Sequence, residues 1–124
     1  MGRGWGSESA KVDIFLDEGL IDDAIKIVSE LDGYHNDLIQ RVMTAAVPYK
    51  PNWVIANSRR RADLIMDASK GQYYSDAVDW LKQARAAYLA SGRKADSVKY
   101  WEKLTLVHGR KRKLMEFLKE GGLG

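Results

Sequence analysis

The chain predicts an all-α fold of about six to seven antiparallel helices. They are expected to stack as helical hairpins in a tetratricopeptide-like or α-solenoid manner, with a closed helical bundle as the alternative. Three observations carry this. Apolar residues recur at i, i+3 and i+4 along most of the 124 residues, the spacing of one face of a helix. No useful stretch alternates with the period of two that a strand requires. The links between periodic segments are short, two to six residues, which makes successive helices antiparallel neighbours.

The elements follow in order. The opening Met1-Gly-Arg-Gly-Trp-Gly-Ser7 is glycine-rich and aperiodic, so residues 1–8 are expected to be a disordered start or an expression remnant. Ser7 or Ser9 then caps a first helix with a Val12, Phe15, Leu16 stripe, which stops at Gly19. A second helix starts at Asp22 and Asp23, whose charges favour its positive N-terminal end. Its inward stripe is Ile21, Ala24, Ile25, Val28 and Leu31, with Gly33 as punctuation. Asn36 or Asp37 opens a third, with Leu38, Ile39, Val42, Met43 and Ala46 inward.

The two prolines, Pro48 and Pro51, cannot continue that helix, and Pro51 suits the first turn of the next. The fourth helix is expected from Asn52 to about Ser69, with Ile55, Ala62, Ile65 and Met66 inward. A fifth follows Ser75 and ends at Gly92. A sixth runs from about Ala95 to Val107 and a short seventh from Arg110 to Glu120. Residues 9–120 are read as one helical-repeat domain and 121–124 as a flexible tail. Two glycine-led openings support a repeat: Gly19 precedes Ala24 and Ile25 much as Gly71 precedes Ala77 and Val78.

Composition sets the class. Forty-five per cent hydrophobic and 30 per cent charged residues describe a chain that buries a core rather than a disordered one. Without cysteine there is no disulfide framework, thiol nucleophile or cysteine zinc site. No apolar run reaches the roughly 20 residues that span a bilayer, and no signal-peptide pattern is present, so no membrane role and a cytoplasmic setting are expected. The net charge of +3 is unevenly spread: residues 1–50 carry five Lys/Arg against nine Asp/Glu, and residues 91–124 carry nine against four. Such halves can contact partners of opposite sign.

The fifth helix is the most informative. Ala77, Leu81, Ala84 and Tyr88 fill one face, with Trp80 and Ala87 on an adjacent one, so the helix is expected to be gripped from two sides. The Trp80 ring, with on the order of 200 Å2 to bury, reads as core.

This run, with Ala77-Val-Asp-Trp80-Leu81, Ala84-Arg85, Tyr88, Gly92-Arg93, Leu104, His108 and Arg110-Lys-Arg-Lys113-Leu114, resembles the C-terminal helical region of SWIM zinc finger proteins. The similarity covers about residues 71–118. It implies a tetratricopeptide-like fold and an origin in a longer bacterial protein with an upstream Cys/His zinc module. That module is absent here with the cysteines, so neither its metal nor its nucleic-acid role carries over. Where a tryptophan is expected soon after Gly92-Arg93, this chain has Ser97, with Tyr100 and Trp101 a little later.

The chemistry-bearing residues are sparse. His35 and His108 have no carboxylate or second histidine at ligand spacing and read as surface or packed side chains. Asp17/Glu18 and Asp22/Asp23 flank a helix junction without a calcium loop around them. Phosphate-binding glycine loops and a nucleophile elbow are absent, so no catalytic, cofactor or metal residues are assigned and no enzyme is expected.

Two basic clusters remain. Arg110, Lys111, Arg112 and Lys113 open the last helix, where positive charge opposes the dipole by about 0.3–1 kcal/mol, and they are the candidate partner or phosphate contact. Arg59, Arg60 and Arg61 form a secondary patch, but three consecutive helical residues fan through about 200° and cannot all face one ligand. The expected function is a non-enzymatic helical-repeat module that binds another protein or another part of its parent chain. The alternative is an accessory nucleic-acid-binding domain using the C-terminal cluster.

Overall fold

A computed structural model of the chain describes residues 3–31 and 35–123, with the backbone alone over residues 3–7. Among the described residues there are seven α-helices, one 3-10 turn and no strand. The helices are α1 (Arg3–Asp17), α2 (Ile21–Ser29), α3 (Asn36–Ala46), α4 (Pro51–Asp67), α5 (Tyr74–Ala90), α6 (Lys94–His108) and α7 (Arg112–Glu120), with the 3-10 turn at Gly71–Tyr73. The all-α class is as the periodicity predicts, and the arrangement is compatible with stacked hairpins. None of these helices is long and apolar enough to cross a membrane.

The chain divides into two compact units, Met1–Tyr49 and Lys50–Gly124. In the first, α1, α2 and α3 pack on one another around Val12, Ala24, Val28, Ile39, Val42, Met43 and Ala46. Helical backbone begins at Arg3, inside the glycine-rich stretch expected to be irregular, so Ser7 and Ser9 lie within α1 instead of capping it. Asn36 opens α3 as expected, whereas Gly33 lies outside the described residues. Arg41 and Asp13 form a surface ion pair at 2.6 Å, a contact worth little in water.

In the second unit α5 is the hub, touching α4, α6, α7 and the 3-10 turn. Its six expected core residues are all buried, and Tyr74 and Val78 join them. The helix α4 opens with Lys50 as N-cap and Pro51 in its first turn. It buries Val54, Ser58, Ala62 and Met66 on a four-residue spacing with Ile55 beside them, while Ile65 is only half-buried. The helices α4 and α5 pack on each other, and the small side chains Ser58, Ala62, Ala77 and Ala84 are all buried. The Ser58 hydroxyl satisfies itself by donating to the Val54 carbonyl at 2.5 Å.

Four of the helices, α1, α4, α5 and α7, end in a left-handed residue. At the end of α5, Gly92 has φ +71°, its amide bonds the Leu89 carbonyl and the Arg93 amide bonds the Tyr88 carbonyl. This left-handed closure turns the chain directly into α6. The two glycine-led openings are built differently from each other. Gly19 is left-handed, but at the other junction the left-handed residue is Ser69 and Gly71 starts the 3-10 turn. Residues 121–123, expected as a tail, close α7 through Leu123 N–H to the Leu118 carbonyl. A Cβ on Gly121 would lie 2.6 Å from Val78 Cγ1, so only glycine lets this turn approach α5.

Candidate functional site

The Arg59-Arg60-Arg61 triplet separates as its spacing requires. Arg61 lies over the Trp80 ring at 5.2 Å, and burial, then the adjacent Arg60 charge, lowers its pKa. Arg60 is exposed and donates to Asn57 Oδ1 at 3.3 Å. Arg59 turns toward α6, donates through Nη1 to Tyr88 Oη at 2.9 Å and stacks over Tyr100 at 4.0 Å from the ring centre. Arg59 and Arg60 border a groove, whereas Arg61 is turned onto Trp80.

That groove follows one face of α4 and continues, past Arg59 and Arg93, onto α6. Two hollows of about 510 and 270 Å3 share Arg59 and Arg93. The larger follows one face of α4, through Asn52, Ile55, Ala56, Arg59, Arg60, Asp63, Leu64 and Asp67, an i, i+3, i+4 series. The smaller is lined from α6 by Asp96, Lys99, Tyr100 and Lys103, with Tyr88 contributed by α5.

Arg93 sits at the N-cap of α6 and is held three ways. Its Nε pairs with Asp96 at 2.9 Å, its Nη1 donates to Asn52 Oδ1 at 3.0 Å, and its guanidinium lies 5.2 Å from the Tyr88 ring centre. Tyr100 donates its hydroxyl to Asp63 at 3.3 Å. Burial, reinforced by the Asp63 charge, pushes the Tyr100 phenol well above its usual pKa of 10.0, so it stays a donor. The groove is therefore a lattice of guanidinium, phenol and carboxylate groups held in place before any ligand arrives.

The C-terminal basic cluster is divided between a turn and a helix. The helix α7 begins at Arg112, two residues later than expected, which leaves Arg110 in the turn and Lys111 as N-cap. The Lys111 ammonium donates to the Met66 carbonyl in the last turn of α4, where the helix dipole favours a cation. The dipole conflict anticipated for this residue is resolved by another helix. Lys113 covers Gly71, its Nζ 3.4 Å from where a Cβ there would stand. Arg110 and Arg112 are exposed, and Arg110 borders a shallow depression with Trp101, Thr105 and Leu106.

Next to Lys111, the buried His108 places Nε2 3.4 Å from Asp67, while its Nδ1 has no protein partner. Burial, then the Lys111 charge, lowers its pKa, and Asp67 and Asp63 offset part of this. Among the described residues no three His, Cys, Asp or Glu side chains come together to hold a metal ion.

The residues that sequence reasoning missed are Asn52, Asp96, Lys99 and Lys103, together with the groove role of Arg93 and Tyr100. Asp96, Lys99, Tyr100 and Lys103 do carry a three-to-four-residue spacing, but nothing in that spacing says which neighbour they meet. No family model matches the chain, and no curated protein or solved structure is detectably similar to it.

Proposed function

We propose that the chain is a non-enzymatic helical interaction module and that residues 50–124 bind an acidic, extended segment of a protein partner in the α4/α6 groove. The partner is a separate protein or another part of a longer parent chain. The observation behind this reading is the pair of fixed guanidinium groups, Arg59 and Arg93, at the centre of the groove. From Asn52 to Asp67 the α4 wall is about 22 Å long at 1.5 Å per residue. An extended segment of about seven residues spans that length. Residues 50–124 hold sixteen Lys/Arg against eight Asp/Glu, which attracts an acidic segment and orients it on approach.

The test is fluorescence anisotropy with labelled heptapeptides rich in glutamate, glutamine or lysine. The acidic peptide should bind most tightly, and Arg93→Gln should weaken it about tenfold at cytosolic salt. Equal binding of the acidic and uncharged peptides sinks the proposal.

The same charge excess supports a second reading, an accessory nucleic-acid contact through the exposed Arg112 and Lys113. Its affinity for single- or double-stranded probes should then fall steeply with salt, and Arg112→Glu with Lys113→Glu should reduce the salt slope. Absence of retention at low salt removes it.

We also take the chain to be a cytoplasmic fragment or relative of a larger bacterial SWIM zinc finger protein, on the strength of residues 71–118. A Cys-x-Cys followed by Cys-x-His encoded upstream in the natural gene supports that origin, and an unrelated upstream sequence opposes it.

A further inference from the structure

We infer that the smaller hollow of the groove is a phosphoryl-binding site for a phosphate monoester dianion carried by the docked segment. The inference deepens the groove reading and rests on it for the source of the phosphate. It starts from charge. Arg59, Arg93, Lys99 and Lys103 border a hollow of about 270 Å3 whose one lining carboxylate is Asp96, an excess of three positive charges. A carboxylate ligand brings one negative charge, whereas a phosphate monoester brings about 1.5 to 2 near neutral pH. The monoester answers the excess better.

Geometry points the same way. An arginine carries five N–H donors in a planar fork. The Tyr88 contact takes one of them from Arg59, and Asp96 and Asn52 take two from Arg93. Stacking on Tyr100 and Tyr88 fixes the planes of the two forks, so little rotamer entropy is lost when a tetrahedral oxyanion arrives. Lys99 and Lys103 are exposed and one turn apart on α6, free to fold over a bound group from the rim. The hollow is smaller than the roughly 300–1,000 Å3 of a small-molecule pocket, which suits a head group on a longer chain. Tyr100, kept protonated, adds a neutral edge that does not repel the anion.

The experiment uses the full chain. Inorganic phosphate is titrated while amide and arginine side-chain signals are followed by NMR, and saturable shifts are expected at Arg59, Arg93, Lys99 and Lys103. Three peptides of one acidic sequence, with serine, glutamate or phosphoserine at the central position, are then compared. The phosphoserine peptide should bind about tenfold more tightly than the glutamate one. Lys99→Glu with Lys103→Glu should remove that preference, and circular dichroism should show the helices unchanged, because both side chains are exposed. Equal binding of the phosphoserine and glutamate peptides overturns the phosphoryl site and leaves the groove standing. Saturable phosphate shifts at these four residues with no binding of any peptide support the site and overturn the groove. Shifts that do not saturate, or a preference that survives the double charge reversal, also overturn the site.

Discussion

The helices α5 and α6 are adjacent and similar in length, yet they are held by different physics. Eight residues of α5 are buried, and helices press on it from α4, α6 and α7. By contrast α6 buries two, Leu104 and His108, and leaves Leu106 86% and Val107 61% exposed. What attaches α6 besides its packing on α5 is polar and aromatic: Arg59 on Tyr100, Tyr100 on Asp63, and His108 beside Asp67. Helix α5 is fixed by dispersion and water exclusion, which tolerate no gap. Helix α6 is fixed by directional contacts of about 1 kcal/mol each, some of which a ligand can share. The proposed binding surface therefore lies where the packing is thinnest.

The comparison breaks most sharply at Trp80. This ring is 2% exposed, lies under Arg61 and fills the α5 interface. Trp80→Ala should cost about 3–5 kcal/mol, seen as a large drop in the denaturant midpoint or as loss of the cooperative transition. If the loss were under about 1 kcal/mol, α5 would not be the hub described.

A smaller effect is expected at the foot of α6. Lys111 ties the turn after α6 to the Met66 carbonyl at the end of α4. Lys111→Met keeps much of the aliphatic stem and removes the donor, so about 1 kcal/mol should be lost by urea unfolding. Because the ammonium is only part-buried, the value belongs at the low end for a charged donor. An unchanged midpoint would show that α6 is held by its apolar contacts after all.

The same contrast explains what could be read from sequence. All six expected core residues of α5 are buried, because small and aromatic residues at three- and four-residue spacing on two adjacent faces mark a helix enclosed by neighbours. The all-α class and the proline start of α4 were equally legible, being local. The groove was not. Arg59 lies 29 residues from Tyr88 and Arg93 lies 41 from Asn52, distances along the chain that only the packing of three helices closes. The sequence marked Arg110 to Lys113 as a cluster by composition. What it did not show is that Lys111 stands at the N-cap of α7 with its ammonium on the Met66 carbonyl of α4. Charge is visible in a sequence; the direction in which a charged side chain points is not.

The smallest effect concerns His108, and it sharpens the comparison by asking whether α6 is sealed at its foot. Burial and the Lys111 charge hold the folded-state pKa below the ordinary 6.5, while the unfolded chain keeps about that value. Between the two values the unfolded state binds the extra proton and the folded state does not, so stability rises with pH through this window. The contribution is complete above about pH 6.5 and declines as pH falls toward the lower folded value. Thermal melts from about pH 7.5 down to about pH 5 should therefore show a fall in Tm that is shallower in His108→Gln than in the wild type. The difference between the two curves reports the His108 contribution. Parallel curves would mean that water reaches His108 freely, and that the junction of α4, α6 and α7 is as open as the outer face of α6.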